Sequence, residues 1–293
     1  MNFGCQNMVD PLRKVLIKHP RDAYQNQTTV DRQSIKLKYN SVPNFEKALA
    51  DYEFFLDLLK SSGADVHFLP KDESTTLDSV YTHDPCIISN SGVILCAMGK
   101  KERSSEPDTM EAYFRSIDIP ILGRIKSPGM LEGGDVVWID EYTVAIGEGY
   151  RSNAEGIRQF RELLGGLVNE VISVPLPHWD GPDECLHLMN NVSPLDHDLY
   201  LVYSRLLPVP FCQYLINRKI KLLEVSDEEY NSMGCNVLAI APRECIMIAG
   251  NPITQKTLEV EGIKVHTFYG SEISLKGSGG PTCLTRPFLR SNS

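Results

Sequence analysis

DVVWIDEYTVAIG, residues 135–147, decides how the rest of the chain is read. β-Branched and apolar residues run on both sides of Asp140–Glu141, so the stretch reads as two short strands folded into a hairpin. The same design recurs three times: CIISNSGVILCAM at 86–98 turns around Asn90–Gly92, NVSPLDHDLYLVY at 191–203 around Pro194–Asp198, and NVLAIAPRECIMIA at 236–249 around Pro242–Glu244. Their spacing of roughly fifty residues lies in the range where internal repeats build closed or stacked architectures.

Outward from each hairpin the pattern switches to helical spacing and then to one more short strand. Asn153 can cap a helix carrying Ile157, Phe160 and Leu164, followed by EVISVPLP. IKLLEV (220–225) and IKVHTF (263–268) take the same place in later units. Upstream, Asn44 opens a helix with Leu49, Tyr52, Phe55, Leu56 and Leu59, Gly63 ends it, and ADVHFLP follows as a strand. KVLIKH (14–19) supplies a fifth unit, broken across the termini. A hairpin in every unit favours closure by radial repetition over a doubly wound open sheet, which is built mainly from parallel crossovers. The expected fold is therefore α/β, with no Gly, Ser or Pro linker to divide it: one domain, residues 1–293. Lys18–Tyr39, rich in polar residues, is expected to be a loop that could serve as a lid.

Composition bounds the partners. Lys and Arg number 29 against 38 Asp and Glu, a net charge of −9, which argues against nucleic acid or an anionic membrane as a charge-held partner. No apolar run reaches the roughly 18 residues of a membrane span, and Met1–Lys14 lacks the apolar core of a secretory signal, so a cytoplasmic protein is expected. The eight cysteines are scattered with no CxxC pair, suggesting neither a zinc knuckle nor a disulfide framework. Gly147–Glu148–Gly149 imitates the start of a dinucleotide fingerprint, but Ser152 stands where the third glycine is needed. A homodimer is allowed and not specified.

Three stretches place polar residues against their surroundings. LDSVYTHDP (77–85) carries Asp78, His83 and Asp84 directly before a strand. LEGGDV (131–136) sets Glu132 and Asp135 around paired glycines, which let backbone approach a ligand closely. GSGGPTCLTRP (277–287) places Cys283 after a glycine-rich loop instead of inside an apolar run, so its sulfur is reachable. His187, in ECLHLMNNV, occupies the same relative place as Asp84 and Glu132; His178 is a rival base. In a ring of units such places converge on one axial pocket. A thiol with an imidazole there suggests nucleophilic attack at an sp2 carbon, and paired carboxylates suggest a cationic substrate.

The ordered series THDP, LEGGDV, CLHL and GGPTCLTRP resembles the guanidino-group-modifying superfamily of arginine deiminases, amidinotransferases and dimethylarginine dimethylaminohydrolases. The resemblance spans Asp78 to Pro287 and implies a five-bladed α/β propeller. By position it implies Cys283 as nucleophile, His187 as general acid and base, and Asp84 and Glu132 as carboxylates around the guanidinium, with Glu132 orienting the histidine. Arg151, in GEGYRSN, matches an arginine that holds a substrate α-carboxylate, and Asp78 an acid near the α-amino group. Asp135 and His83 complete the substrate-binding candidates. The implied reaction is hydrolysis of a methylated arginine to citrulline and an amine, with no metal or organic cofactor. The alternatives are an arginine deiminase, an amidinotransferase and a catalytically silent binder of guanidino compounds. Met189, where many deiminases have an Asp two residues after the histidine, and the short chain favour the dimethylargininase; His83, where animal dimethylargininases have an acid, favours the deiminase.

Overall fold

The hairpins form where the alternation puts them. A computed structural model describes residues 2–291. In it Val136–Asp140 (β6) pairs antiparallel with Thr143–Glu148 (β7), and Asp140 Oδ1 accepts the Tyr142 amide at 2.8 Å to close the turn. Glu170–Pro175 (β8) then lies parallel to β7, reached through the helix Ala154–Leu164. Asn153 caps that helix by accepting the Gly156 amide, and Ile157, Phe160 and Leu164 are buried as their spacing requires. Each such side chain contributes about 1.5–3 kcal/mol by leaving water.

Three further sheets repeat this unit: Cys86–Ser89 (β3), Gly92–Leu95 (β4) and Ile121–Arg124 (β5); Val192–Asp196 (β9), Leu199–Val202 (β10) and Lys221–Glu224 (β11); Leu238–Ala241 (β12), Glu244–Ile248 (β13) and Lys264–Phe268 (β14). The fifth is assembled from both ends of the chain. Leu12–Ile17 (β1) is parallel to Asp65–Phe68 (β2) and antiparallel to Arg286–Arg290 (β15), so the C-terminal strand takes the hairpin's place. β3 is buried throughout whereas β5 is half-buried, which sets the first strand of the blade on the axis and the third on the rim. The five three-stranded sheets form an α/β propeller.

Two expectations change. Pro194 belongs to strand β9 and not to the turn, which shrinks to His197–Asp198; β9 is an edge strand, where a missing N–H costs no ladder bond. Lys18–Tyr39 is not a loop: it holds the helices Pro20–Ala23 and Gln27–Lys36, because Tyr24, Val30 and Leu37 are buried against Tyr52 and Phe55. Asn26 caps the second helix through the Thr29 amide. Among the described residues no helix is long and apolar enough to cross a membrane.

Candidate active site

The strands β3, β6 and β9 start at the same end of the ring, and the residues just ahead of them meet there. Asp84, Glu132 and His187 offer donor atoms that all lie within 4.8 Å of one another, and all three are buried. The glycine pair makes this approach feasible. A Cβ on Gly134 would collide with the His187 ring and Asp84, and one on Gly133 with the His83 carbonyl. The Gly134 amide donates to Asp84 Oδ1 at 3.1 Å.

Glu132 is the hub. Its Oε2 lies 2.7 Å from His187 Nε2 and 3.3 Å from Arg151 Nη1, while Oε1 accepts the amides of Gly99 at 2.8 Å and Lys100 at 3.2 Å. Burial opposes the charge on Glu132, but the His187 bond and Arg151 outweigh it and hold its carboxyl well below the usual range. Burial likewise works against a charged His187; Cys185, Asp84 and Asp135 overcome it and keep that imidazole well above its ordinary value. With Nε2 bound to Glu132, Nδ1 faces Cys185 Sγ at 3.6 Å and Asp84 Oδ1 at 3.8 Å.

Cys283 precedes β15, the structural counterpart of the other first strands. Asn236 Nδ2 donates to its sulfur at 3.3 Å. Burial, joined by Asp84 and Cys185, pushes the Cys283 thiol up to about 12, which holds it neutral. Cys283, His187, Asp84, Asp78, Cys185 and Arg151 line one inner cavity of about 40 Å³. Beyond it, a vestibule of about 360 Å³ shares Lys100, Arg151 and Cys185. Its rim is bridged by an ion pair of 2.5 Å between Lys38 and Asp183. A larger cavity, about 950 Å³, lies at the other end of the strands, among the hairpin turns and residues 3–10, away from the thiol.

Asp135 supports the site from below. Its Oδ2 accepts the Ser152 hydroxyl at 2.6 Å and its Oδ1 the Leu188 amide at 3.0 Å, fixing the backbone next to His187; burial pushes its carboxyl up to about 6. His83 turns away. Its Nδ1–H donates to the Thr285 carbonyl at 2.8 Å, and the ring lines a separate small cavity with Val237, Thr282 and Arg286. Burial and Arg286 hold it well below the ordinary imidazole range, hence neutral. His178 is exposed and bonded to the Tyr150 hydroxyl at 2.7 Å, outside the site.

The sequence reading passed over four residues of this region. Arg103 is buried, its Nη1 donating to Asp84 Oδ2 at 2.5 Å and its Nε and Nη2 to Glu106 and the Tyr81 carbonyl. It helps hold the Asp84 carboxyl below the usual range despite burial. Lys100 reaches Asp78, and Cys185 joins His187. Asn236 sits two residues before β12, the place that Asp84 occupies before β3, so the repeat itself carried the signal for it. The three-donor cluster of Asp84, Glu132 and His187 has the spacing of a metal set, although its oxygens already face Arg103, Arg151 and backbone amides.

Comparison with known proteins agrees with this geometry. The family model for eukaryotic N,N dimethylarginine dimethylhydrolase matches residues 19–289. The N(G),N(G)-dimethylarginine dimethylaminohydrolase of Pseudomonas aeruginosa is 28% identical over 248 residues, covering 84% of this chain and 90% of that enzyme. The arginine deiminase of Listeria welshimeri is 28% identical over 252 residues, covering 72% of this chain and 61% of that enzyme. A cysteine-to-serine variant of the Pseudomonas aeruginosa enzyme, solved with citrulline, superimposes with a TM-score of 0.77 at 25% identity, covering 96% of this chain and all of that one. On the strength of the matched length and the shared ring, the chain belongs to the N,N dimethylarginine dimethylhydrolase family.

Proposed function

We propose that this protein hydrolyses the guanidinium group of a methylated arginine to citrulline and an amine through a covalent adduct on Cys283. The observation that carries the reading is the convergence of Cys283, the His187–Glu132 pair and Asp84 on one cavity. Family membership supports hydrolysis of a guanidino substrate. The whole chain, 1–293, acts as one domain in this reading, since β15 closes the ring on β1.

A guanidinium carbon is a poor electrophile because resonance spreads its charge, so it must be held and desolvated. Arg103 takes Asp84 Oδ2 and leaves Oδ1 facing His187, where it can accept a substrate N–H. The arriving cation offsets the burial and the Asp84 charge that keep the Cys283 thiol protonated, so the thiol gives its proton to bulk water and the thiolate forms. The thiolate attacks the guanidino carbon and forms a tetrahedral adduct. His187 Nδ1–H gives its proton to the departing amine as the C–N bond breaks, leaving an S-alkylthiouronium. His187 then takes one proton from water as the hydroxide adds to the same carbon, and the C–S bond breaks to release the Cys283 thiolate while the adduct's hydroxyl proton passes to solvent, leaving the ureido product. Glu132 stabilises the imidazolium before amine departure and again after water gives up its proton, with Asp135 fixing the backbone beneath it. Arg151, which borders both the inner cavity and the vestibule, and Asp78, on the inner-cavity wall, would meet the substrate's amino-acid end.

The second reading is an arginine deiminase, favoured by His83 turning out of the pocket and by the 28% identical Listeria welshimeri enzyme. Offering asymmetric dimethylarginine, monomethylarginine and arginine in parallel decides between them. Citrulline with dimethylamine or methylamine supports the first reading, citrulline with ammonia from arginine alone supports the second, and no product from any of them rejects both.

A further inference from the structure

Asp78 is a buried carboxylate on the wall of the inner cavity, and it is not empty-handed. Lys100 Nζ lies 2.7 Å from its Oδ2, with the lysine side chain 23% exposed and that of the aspartate 4%. The approach is off the axis a hydrogen bond needs, so Oδ2 has an ionic partner but no hydrogen bond. The same Nζ donates to the Leu37 carbonyl at 2.8 Å, at the end of the helix Gln27–Lys36 that overlies the site. A carboxylate and a carbonyl oxygen thus already hold an ammonium group between them. The backbone of Lys100 is fixed separately, since its amide donates to Glu132 Oε1, so only the side chain is free to leave. Lys100 borders both the inner cavity and the vestibule, and its exit path is therefore built in.

We infer that Lys100 is a displaceable ammonium that holds the Asp78–Leu37 site in the free protein and gives it up to the α-ammonium of an amino-acid substrate. This rests on the reading that a guanidino amino acid enters the pocket. The exchange swaps one cation for another at Asp78, so the buried carboxylate is never left bare, the arrangement that would cost most. Only a ligand that brings its own ammonium can make the swap. A guanidino carboxylate without the amine leaves Lys100 in place and gains nothing from Asp78. Lys100 is thus a specificity-determining residue: as an internal competitor, tethered at high effective concentration, it weakens amine-bearing ligands and leaves amine-free ones unaffected.

The test is the ratio of two affinities, measured calorimetrically in the Cys283→Ser background where chemistry is off. Arginine is compared with 5-guanidinopentanoate, the same molecule without its α-amine. Removing the competitor with Lys100→Met, which keeps the stem, should tighten arginine at least tenfold and leave 5-guanidinopentanoate unchanged; Lys100→Ala should do the same. Adding Asp78→Asn should erase the effect. Equal changes for both ligands would mark Lys100 as merely structural, weaker arginine binding would mark it as a direct substrate contact, and no binding of either would remove the pocket from consideration; each overturns the inference. Failure of hydrolysis is read independently: if the wild type yields no ureido product while the affinity ratio shifts as stated, the catalytic reading falls and the role of Lys100 stands.

Discussion

His187 Nε2 lies 2.7 Å from Glu132 Oε2 with both side chains buried, and this one contact fixes which imidazole nitrogen is turned to the cavity. Bound to Glu132, Nε2 is the orienting nitrogen, and Nδ1 is left facing the cavity. Replacing Glu132 by Gln keeps the shape but turns the charged hydrogen-bond partner of His187 Nε2 into a neutral one. Turnover should fall about 100-fold, the lower end of what a positioned acid–base contributes. The sign of the pH effect follows from the raised imidazole. Stability gained from a charged His187 is complete below its ordinary value near 6.5 and is lost as pH rises through the elevated one. The basic limb of the wild-type rate profile should therefore lie above pH 6.5, and Glu132→Gln should move it to lower pH. An unmoved limb would show that Glu132 does not set the proton affinity of His187.

The neutral Cys283 thiol gives a second expectation. With burial pushing it up to about 12, the thiolate fraction at pH 7 is on the order of one in 10⁵. Iodoacetamide should label Cys283 slowly, with a rate that climbs about tenfold per pH unit, and a guanidinium ligand too small to block the sulfur should accelerate it. Fast, pH-independent labelling without ligand would mean that the thiolate is preformed. Cys283→Ser should lose at least about 1,000-fold in turnover with its melting temperature within a few degrees of wild type, since the exchange leaves no cavity.

What was legible in the sequence was whatever repeats. The hairpins, the helix capped by Asn153 and the strand after it follow from local alternation and spacing, and Asp84, Glu132, His187 and Cys283 were visible because each precedes a first strand. Arg103 and Lys100 were not, because GKKERSSEP reads as a solvated charge run. Their placement depends on acids that local spacing does not bring near: Asp78 and Asp84 lie ahead of β3, on the far side of its hairpin, and only Glu106 is local. The orientation of His83 was equally out of reach. Its neighbour Asp84 points into the pocket, and the Thr285 carbonyl that draws the ring the other way is 202 positions distant.

Arg103 should matter more to stability than to any single step. It joins Asp84 and Glu106 in a buried cluster, and without it two carboxylates would face low dielectric with no cation beside them. Arg103→Met should cost about 3–5 kcal/mol in denaturant unfolding, the usual toll for breaking a buried pair by removing one member. Arg103→Lys keeps the charge but loses the fork, and should cost less while still impairing turnover. A Met variant as stable as wild type would mean that the cluster is hydrated.

Asp135 offers the last prediction. Burial pushes its carboxyl up to about 6 from an ordinary 3.8. A raised folded-state value means the native protein holds this proton more tightly than the unfolded chain. The resulting stability is complete below the unfolded value and is lost as pH rises from about 4 through about 6, to a total of roughly 3 kcal/mol. Asp135→Asn cannot titrate, so its stability should be flatter than that of wild type across this interval. The amide oxygen can still accept the Leu188 N–H, and its NH₂ then faces the Ser152 hydroxyl, which also receives the Glu132 amide and can rotate to accept. Turnover should thus fall only about tenfold, well short of the Glu132→Gln loss. If denaturant titrations from pH 4 to 7 show the same slope in both proteins, Asp135 is not the group that couples this site to pH.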